Sequence, residues 1–176
     1  PVPPPAPSAE PASPKAPSPG LRLVFYDIEA SNEDALVAAL AKRRLHAESS
    51  WRLLYEYKPR LIGSRCAVAT VTTALELAIT LPRWSAPPGT DAGLVERWER
   101  YVEALRRHED SRLEYARELE AELGPALMAL AQAPNCDALA AEVAGRYETL
   151  LARARAREAD FAARAKRGDI AVPQFR

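Results

Sequence analysis

Histidine is nearly absent from this chain: its 176 residues carry only His46 and His108. Nucleophilic triad chemistry needs a histidine beside a Ser or Cys, and two imidazoles leave it almost no room. A surplus of charge is missing too, with 24 Lys+Arg against 24 Asp+Glu. A general nucleic-acid binder carries a basic excess, so that class is set aside. No apolar run approaches the roughly 20 residues that a membrane-spanning helix needs. No glycine-rich phosphate loop stands out among the 7 glycines. Cysteine is limited to Cys66 and Cys136. The pair reads equally as a disulfide in an exported protein or as two buried thiols in a cytosolic one. If bridged, it closes a loop of about 70 residues, worth on the order of 4 kcal/mol. The chain starts at Pro1 rather than Met. That start suggests a processed or trimmed chain from which any signal peptide has been removed.

What the N-terminus does have is proline. Residues 1–20 are a Pro/Ala/Ser stretch that offers almost nothing apolar to bury, and proline donates no backbone hydrogen bond. It reads as a disordered or polyproline-like linker, or as a terminus with no role. A linker of this kind leaves room for a lipid anchor upstream of it. Residues 21–176 have the length of one domain with a modest core.

Leu21 to Ile28 is rich in β-branched and aromatic residues and predicts a strand. Ser31 or Asn32 then caps a short helix, with Glu33 and Asp34 in its first turn and Leu36, Val37 and Leu40 as its apolar face. Trp51 to Tyr57 predicts a second strand, ended by Lys58-Pro59. Cys66 to Leu81 predicts a long third strand, with Cys66, Val68, Thr70 and Thr72 on one side and Ala67, Ala69 and Val71 on the other. Three strands in succession suggest an antiparallel meander. A long helix follows from Thr90 or Asp91 to Leu123, where Gly124-Pro125 breaks or kinks it. The last helix runs from Asn135, its cap, through Cys136 to about Arg167, and Gly168 stops it. The fold class is therefore α+β: a small antiparallel sheet of about three strands packed against two long helices and one short one.

The chemistry centres on His108-Glu109-Asp110-Ser111-Arg112 in the first long helix. A zinc hydrolase helix needs His at the first and fifth positions to grip the ion from one face. The Glu after the first His acts as general base on the metal-bound water. Here the first two residues are right and the fifth is Arg112. The apolar spacing of this helix, Leu94, Trp98, Tyr101, Leu105 and onward to Leu119 and Leu123, places His108 and Arg112 on the buried stripe, with Glu109 beside them. Taken alone, His108-Glu109 is an ordinary helix pair. Glu114, Glu118, Glu120 and Glu122, and the basic strip of Arg153, Arg155, Arg157, Arg164, Lys166 and Arg167, read as solvated faces.

The wider order of residues adds to this. Tyr26-Asp27, Trp51 with Tyr55 and Tyr57, Cys66 with Val68, Leu81-Pro82 with Trp84, Trp98 ahead of His108-Glu109, and Asn135-Cys136 form one ordered set. This set resembles a bacterial family of exported zinc-dependent proteases, catalogued as domain of unknown function 922, across about residues 21–175. The resemblance implies a zincin-like α+β fold, an export signal upstream, and a disulfide between Cys66 and Cys136. It also implies zinc ligands, and here the chain departs from the pattern. The family's second His falls at Arg112. Its late His-Gly pair has Arg167-Gly168 as the nearest match, again with Arg in place of His. Only His108 carries over as a ligand and Glu109 as the would-be base, both vestigial. One imidazole does not hold a catalytic zinc, and a guanidinium cannot ligate.

The expectation is a metal-free site in which Arg112 takes the place of the ion and pairs with Glu109, Glu158 or Asp160, since a buried Arg requires a partner. Functionally, this is a catalytically inactive relative of exported proteases. It would work in the periplasm or outside the cell as a protein- or peptide-binding module, with no cofactor, no nucleic acid and no membrane span. Two alternatives stand beside it. One is an active zinc-dependent hydrolase with a non-standard site built on His108 and Glu109. The other is a structural envelope protein.

Overall fold

Three side chains start the three helices. The structure, a computed structural model, describes residues 20–175, so the linker expected over residues 1–20 lies outside it up to residue 19. The elements are β1 (Leu21–Ile28), α1 (Glu33–Ala41), β2 (Glu48–Ile62), β3 (Arg65–Trp84), α2 (Ala92–Met128) and α3 (Cys136–Arg167). Asn32, Asp91 and Asn135 each accept a backbone N–H three residues on, at 2.9, 3.0 and 2.8 Å, satisfying a donor that the first helical turn leaves open. Gly168 ends α3 with φ 85°, the left-handed conformation that only glycine adopts without strain.

The sheet is mixed, not an antiparallel meander. Its order is β1-β3-β2, with β3 antiparallel to β2 and parallel to β1. The meander expectation took sequence neighbours as sheet neighbours. Instead β3, the strand with the longest apolar content, takes the centre, where both of its edges are paired. β2 carries Pro59, which cannot donate to a ladder, and is accordingly an edge strand.

A bulge corrects the expected faces of β3. Lys58 pairs with Thr70 but Pro59 with Val68, which leaves Ala69 as the extra residue. An extra residue inverts the alternation. Cys66 and Val68 face the helices before it, and Val71, Leu75, Leu77 and Ile79 face them after it. Thr70 and Thr72 turn out to solvent.

α2 also runs further than expected, through Pro125 to Met128. Pro125 lies in the last turns and is exposed, and Leu127, the next seam position, is fully buried. Burying that side chain favours continuing the helix by about 1.5–3 kcal/mol, enough to offset one missing hydrogen bond at a solvated end. At 37 residues α2 spans roughly 55 Å.

Two apolar clusters result. One joins β1, α1, the end of β3 and the first half of α2 around Leu36, Ile79, Leu81 and Trp98. The other joins the opposite end of the sheet to the second half of α2 and to α3, around Cys66, Leu123, Leu139 and Val143. Cys66 and Cys136 form a disulfide inside the second cluster, the pairing that the resemblance implied. Trp51 and Leu75 touch both clusters. The acidic face of α2 and the basic strip of α3 are exposed and meet in surface ion pairs, Arg153 with Glu122 and Arg157 with Glu118.

Candidate functional site

The buried positions of α2 run Leu94, Trp98, Tyr101, Leu105, Glu109, Leu113, Ala116, Leu119, Leu123 and Leu127. Glu109 thus occupies a position that the spacing would give to leucine, and it is the one buried charged residue among those described, at 5% exposure. This shifts the expected seam by one residue. His108 and Arg112 flank the buried line on one side of it, half-buried, and Glu109 lies at its centre. The sequence-level count chose the other three-and-four path through the same stretch.

A carboxylate buried this far from water needs partners. Ser49 on β2 donates to Glu109 Oε2 at 2.6 Å. Arg112 Nη1 donates to the same oxygen at 3.1 Å. The other terminal nitrogen of Arg112 reaches Glu158 Oε1 on α3 at 3.5 Å, and Trp51 Nε1 on β2 donates to Glu158 Oε2 at 3.3 Å. One chain of contacts, Ser49–Glu109–Arg112–Glu158–Trp51, therefore ties β2, α2 and α3 together where the two apolar clusters meet. Arg112 Nε is buried without a hydrogen-bond partner, so the two terminal nitrogens carry the compensation of its charge. Asp160, the other acid considered for Arg112, is exposed.

Glu109 and Arg112 of this network line a cavity of about 610 Å³, within the usual size of a ligand site. Most of the other walls are apolar: Leu40 and Leu45 from the α1 region, Leu105 from α2, and Phe161 and Ala162 from α3. His108 enters beside Phe161, their rings 5.4 Å apart. The second histidine, His46, also lines the cavity, which brings both imidazoles of the chain to one place. Its Nδ1 contacts the Tyr101 hydroxyl, and its carbonyl accepts from Tyr26 Oη at 2.8 Å. Burial pushes the Tyr101 phenol well above its ordinary range. Tyr26 is also raised by burial, with Arg43, 3.6 Å over its ring, pulling the other way. The C-terminal segment closes one side: Phe175 meets Trp98 and Tyr101 edge to face, with ring centroids 5.8 and 5.5 Å apart, and Pro173 lines the cavity.

Arg167 stands apart from this cluster. It is exposed at the end of α3 and pairs with Asp169 at 3.0 Å. Sequence reasoning named His108, Glu109, Arg112 and Glu158, which the structure brings together. It missed Ser49, Trp51 as a donor, and the place of His46 in the same cavity. The only available signal was the buried line through Glu109 at Leu105 plus four. Nothing local marks Ser49, because its role comes from strand β2 lying against α2. Among the described residues, no group of three or more His, Cys, Asp or Glu side chains is placed to hold a metal ion, and no helix is long and apolar enough to cross a membrane.

The arrangement defines an α+β domain of a mixed three-stranded sheet and three helices, in which the helices and the C-terminal segment line a cleft beside one buried carboxylate. This chain belongs to the bacterial DUF922 family: the sequence profile described as Bacterial protein of unknown function (DUF922) matches residues 23–168. No curated protein and no solved structure matches it.

Proposed function

We propose that this protein is a catalytically inactive relative of exported zinc-dependent proteases that binds an extended peptide or protein segment outside the cytoplasm. The observation that carries this reading is the position of Arg112. A zinc ion held by His108 would have to sit beside a permanent guanidinium charge. The would-be general base, Glu109, already accepts from Ser49 and Arg112. Both contacts fall on one oxygen, Oε2, which is therefore already occupied by protein donors. The donor set does not fit zinc, and no catalytic step is derived through it.

What remains is a mostly apolar cleft with a few polar groups, whose lining reaches His46 and Ala47 just before β2; among the described residues the outer edge of β2 has no strand partner in the sheet. An open edge beside an apolar cleft suits strand addition by an extended peptide, with the backbone giving affinity and the cleft receiving side chains. The disulfide favours an oxidising compartment, which supports export to the periplasm or beyond.

Two measurements test the reading. Protein purified without chelator should carry no stoichiometric zinc and should cleave no casein or peptide substrate with or without added zinc. A peptide array should show bound sequences that are lost on Ala162→Trp, which fills the cleft from an exposed position. Tight zinc with proteolysis would overturn inactivity. Array binding that is unchanged in the Trp variant would overturn the cleft as the binding site.

A further inference from the structure

The β2–β3 hairpin ends in a tip that neither the cleft nor the core uses. Residues 58–65, Lys-Pro-Arg-Leu-Ile-Gly-Ser-Arg, are exposed without interruption, whereas Cys66, Ala67 and Val68 immediately behind them are buried. The strand pairing nevertheless continues to the end, Leu61 opposite Cys66 and Ile62 opposite Arg65. The two-residue turn is closed by Gly63 at φ 62°. The tip is therefore an ordered projection, not a loop.

Its base is fixed from three directions. Cys66 exchanges backbone hydrogen bonds with Ala133 of the α2–α3 loop at 3.0 and 2.9 Å, Arg65 donates to the Gln132 carbonyl, and Cys66 is bonded to Cys136 at the start of α3. Such bracing holds the tip at a set angle to the body.

The composition of the tip is one-sided. It holds three cations, Lys58, Arg60 and Arg65, and no acid. Between them Leu61 is 70% exposed and Ile62 39%. Lys and Pro on an edge strand blunt unwanted strand pairing, which accounts for Lys58-Pro59. It does not account for two apolar side chains held out at the furthest point. Cations flanking exposed aliphatic residues match the surface of an anionic bilayer, where the charges meet lipid headgroups and the aliphatic side chains enter the acyl boundary.

We propose that the hairpin tip docks the protein on an anionic lipid surface, with Leu61 and Ile62 inserted and Lys58 and Arg60 on the headgroups. The proposal is independent of what the cleft binds. The test is flotation of the full chain with vesicles of phosphatidylcholine alone or mixed with phosphatidylglycerol. The protein should float with the mixed vesicles and not with phosphatidylcholine alone, and raised salt should release it. Lys58→Gln with Arg60→Gln should weaken binding roughly 25-fold, about five-fold for each cation removed. Leu61→Ser with Ile62→Ser should abolish flotation while the far-UV spectrum stays that of the parent. Equal flotation with both vesicle types, or none with either, overturns the proposal. Binding that survives loss of Leu61 and Ile62 reflects charge attraction alone and also overturns it.

Discussion

Glu109 and Arg112 lie one helical turn apart, and Arg112 Nη1 donates to Glu109 Oε2 at 3.1 Å. The carboxylate is almost fully buried and the guanidinium about three-quarters so. Glu158 adds a second carboxylate on the far side of the guanidinium, at 3.5 Å. The pair therefore links α2 to α3 as well as closing a turn of α2. Its energetics follow from burial: a solvated i,i+3 pair is worth a few tenths of a kcal/mol, but an unpaired buried carboxylate costs several times that.

Removing Arg112 should accordingly cost more than its surface appearance suggests. Arg112→Met leaves Glu109 buried with Ser49 as its only remaining partner in the network, and a loss of about 2–3 kcal/mol is expected. The figure lies below the usual range for breaking a fully buried pair because the guanidinium is partly solvated. Glu109→Gln added to Arg112→Met should recover part of it. Urea unfolding of the two single variants and the double variant gives the coupling; strictly additive losses would contradict the pairing.

Arg112→His tests the inferred history of the site. Introducing one imidazole gives His108 a neighbour at helical spacing but no third protein ligand, and Arg167 is exposed and paired with Asp169. The variant should gain no stoichiometric zinc and no proteolysis. Elemental analysis after zinc loading checks this, and activity from the single change would show that the remaining ligands are intact.

The disulfide closes a loop across a sequence separation of 70, so it constrains the unfolded chain strongly. Reduction, or Cys66→Ser with Cys136→Ser, should lower stability by up to about 4 kcal/mol. Thermal unfolding with and without reductant measures it, and an unchanged Tm would show that the bond contributes nothing.

Alkaline pH should destabilise the fold as its raised phenols ionise. Tyr26, Tyr55 and Tyr101 are all raised above the ordinary tyrosine range, in each case chiefly by burial. A raised folded-state value means that the associated stability is fully present below the unfolded value near pH 10. It is then lost as the pH rises from there towards the folded values. Tyrosinate absorbance should therefore rise together with the loss of far-UV signal, and Tyr101→Phe should make the alkaline loss less steep. Full ionisation of all 6 tyrosines in a still-folded protein would contradict it.

Much of the secondary structure was legible because its signals are local. Asn32 and Asn135 are caps by virtue of one short side chain, Gly168 is a stop because it tolerates φ 85°, and the β-branched and aromatic residues of β1 favour an extended chain locally. The failures share another cause. The parallel pairing of β1 with β3, the bulge at Ala69, and the continuation of α2 through Pro125 each depend on what lies opposite in space. Within the site, a count of three and four admits two paths through residues 105–116. Only Ser49 across from Glu109 shows which one is buried.

By itself the sequence determined that three helices and three strands form, that the chain is neutral and that Arg112 follows Glu109 by one helical turn, because these depend on residue type and on spacing along one element. Tertiary structure alone decided that β3 is central, that Glu109 and not His108 is the buried residue, that Arg112 bridges two carboxylates, and that His46 and His108 line one cavity. Burial and charge compensation are properties of the surroundings. A residue's surroundings are assembled from elements far apart in the chain, as Ser49, Arg112 and Glu158 are here.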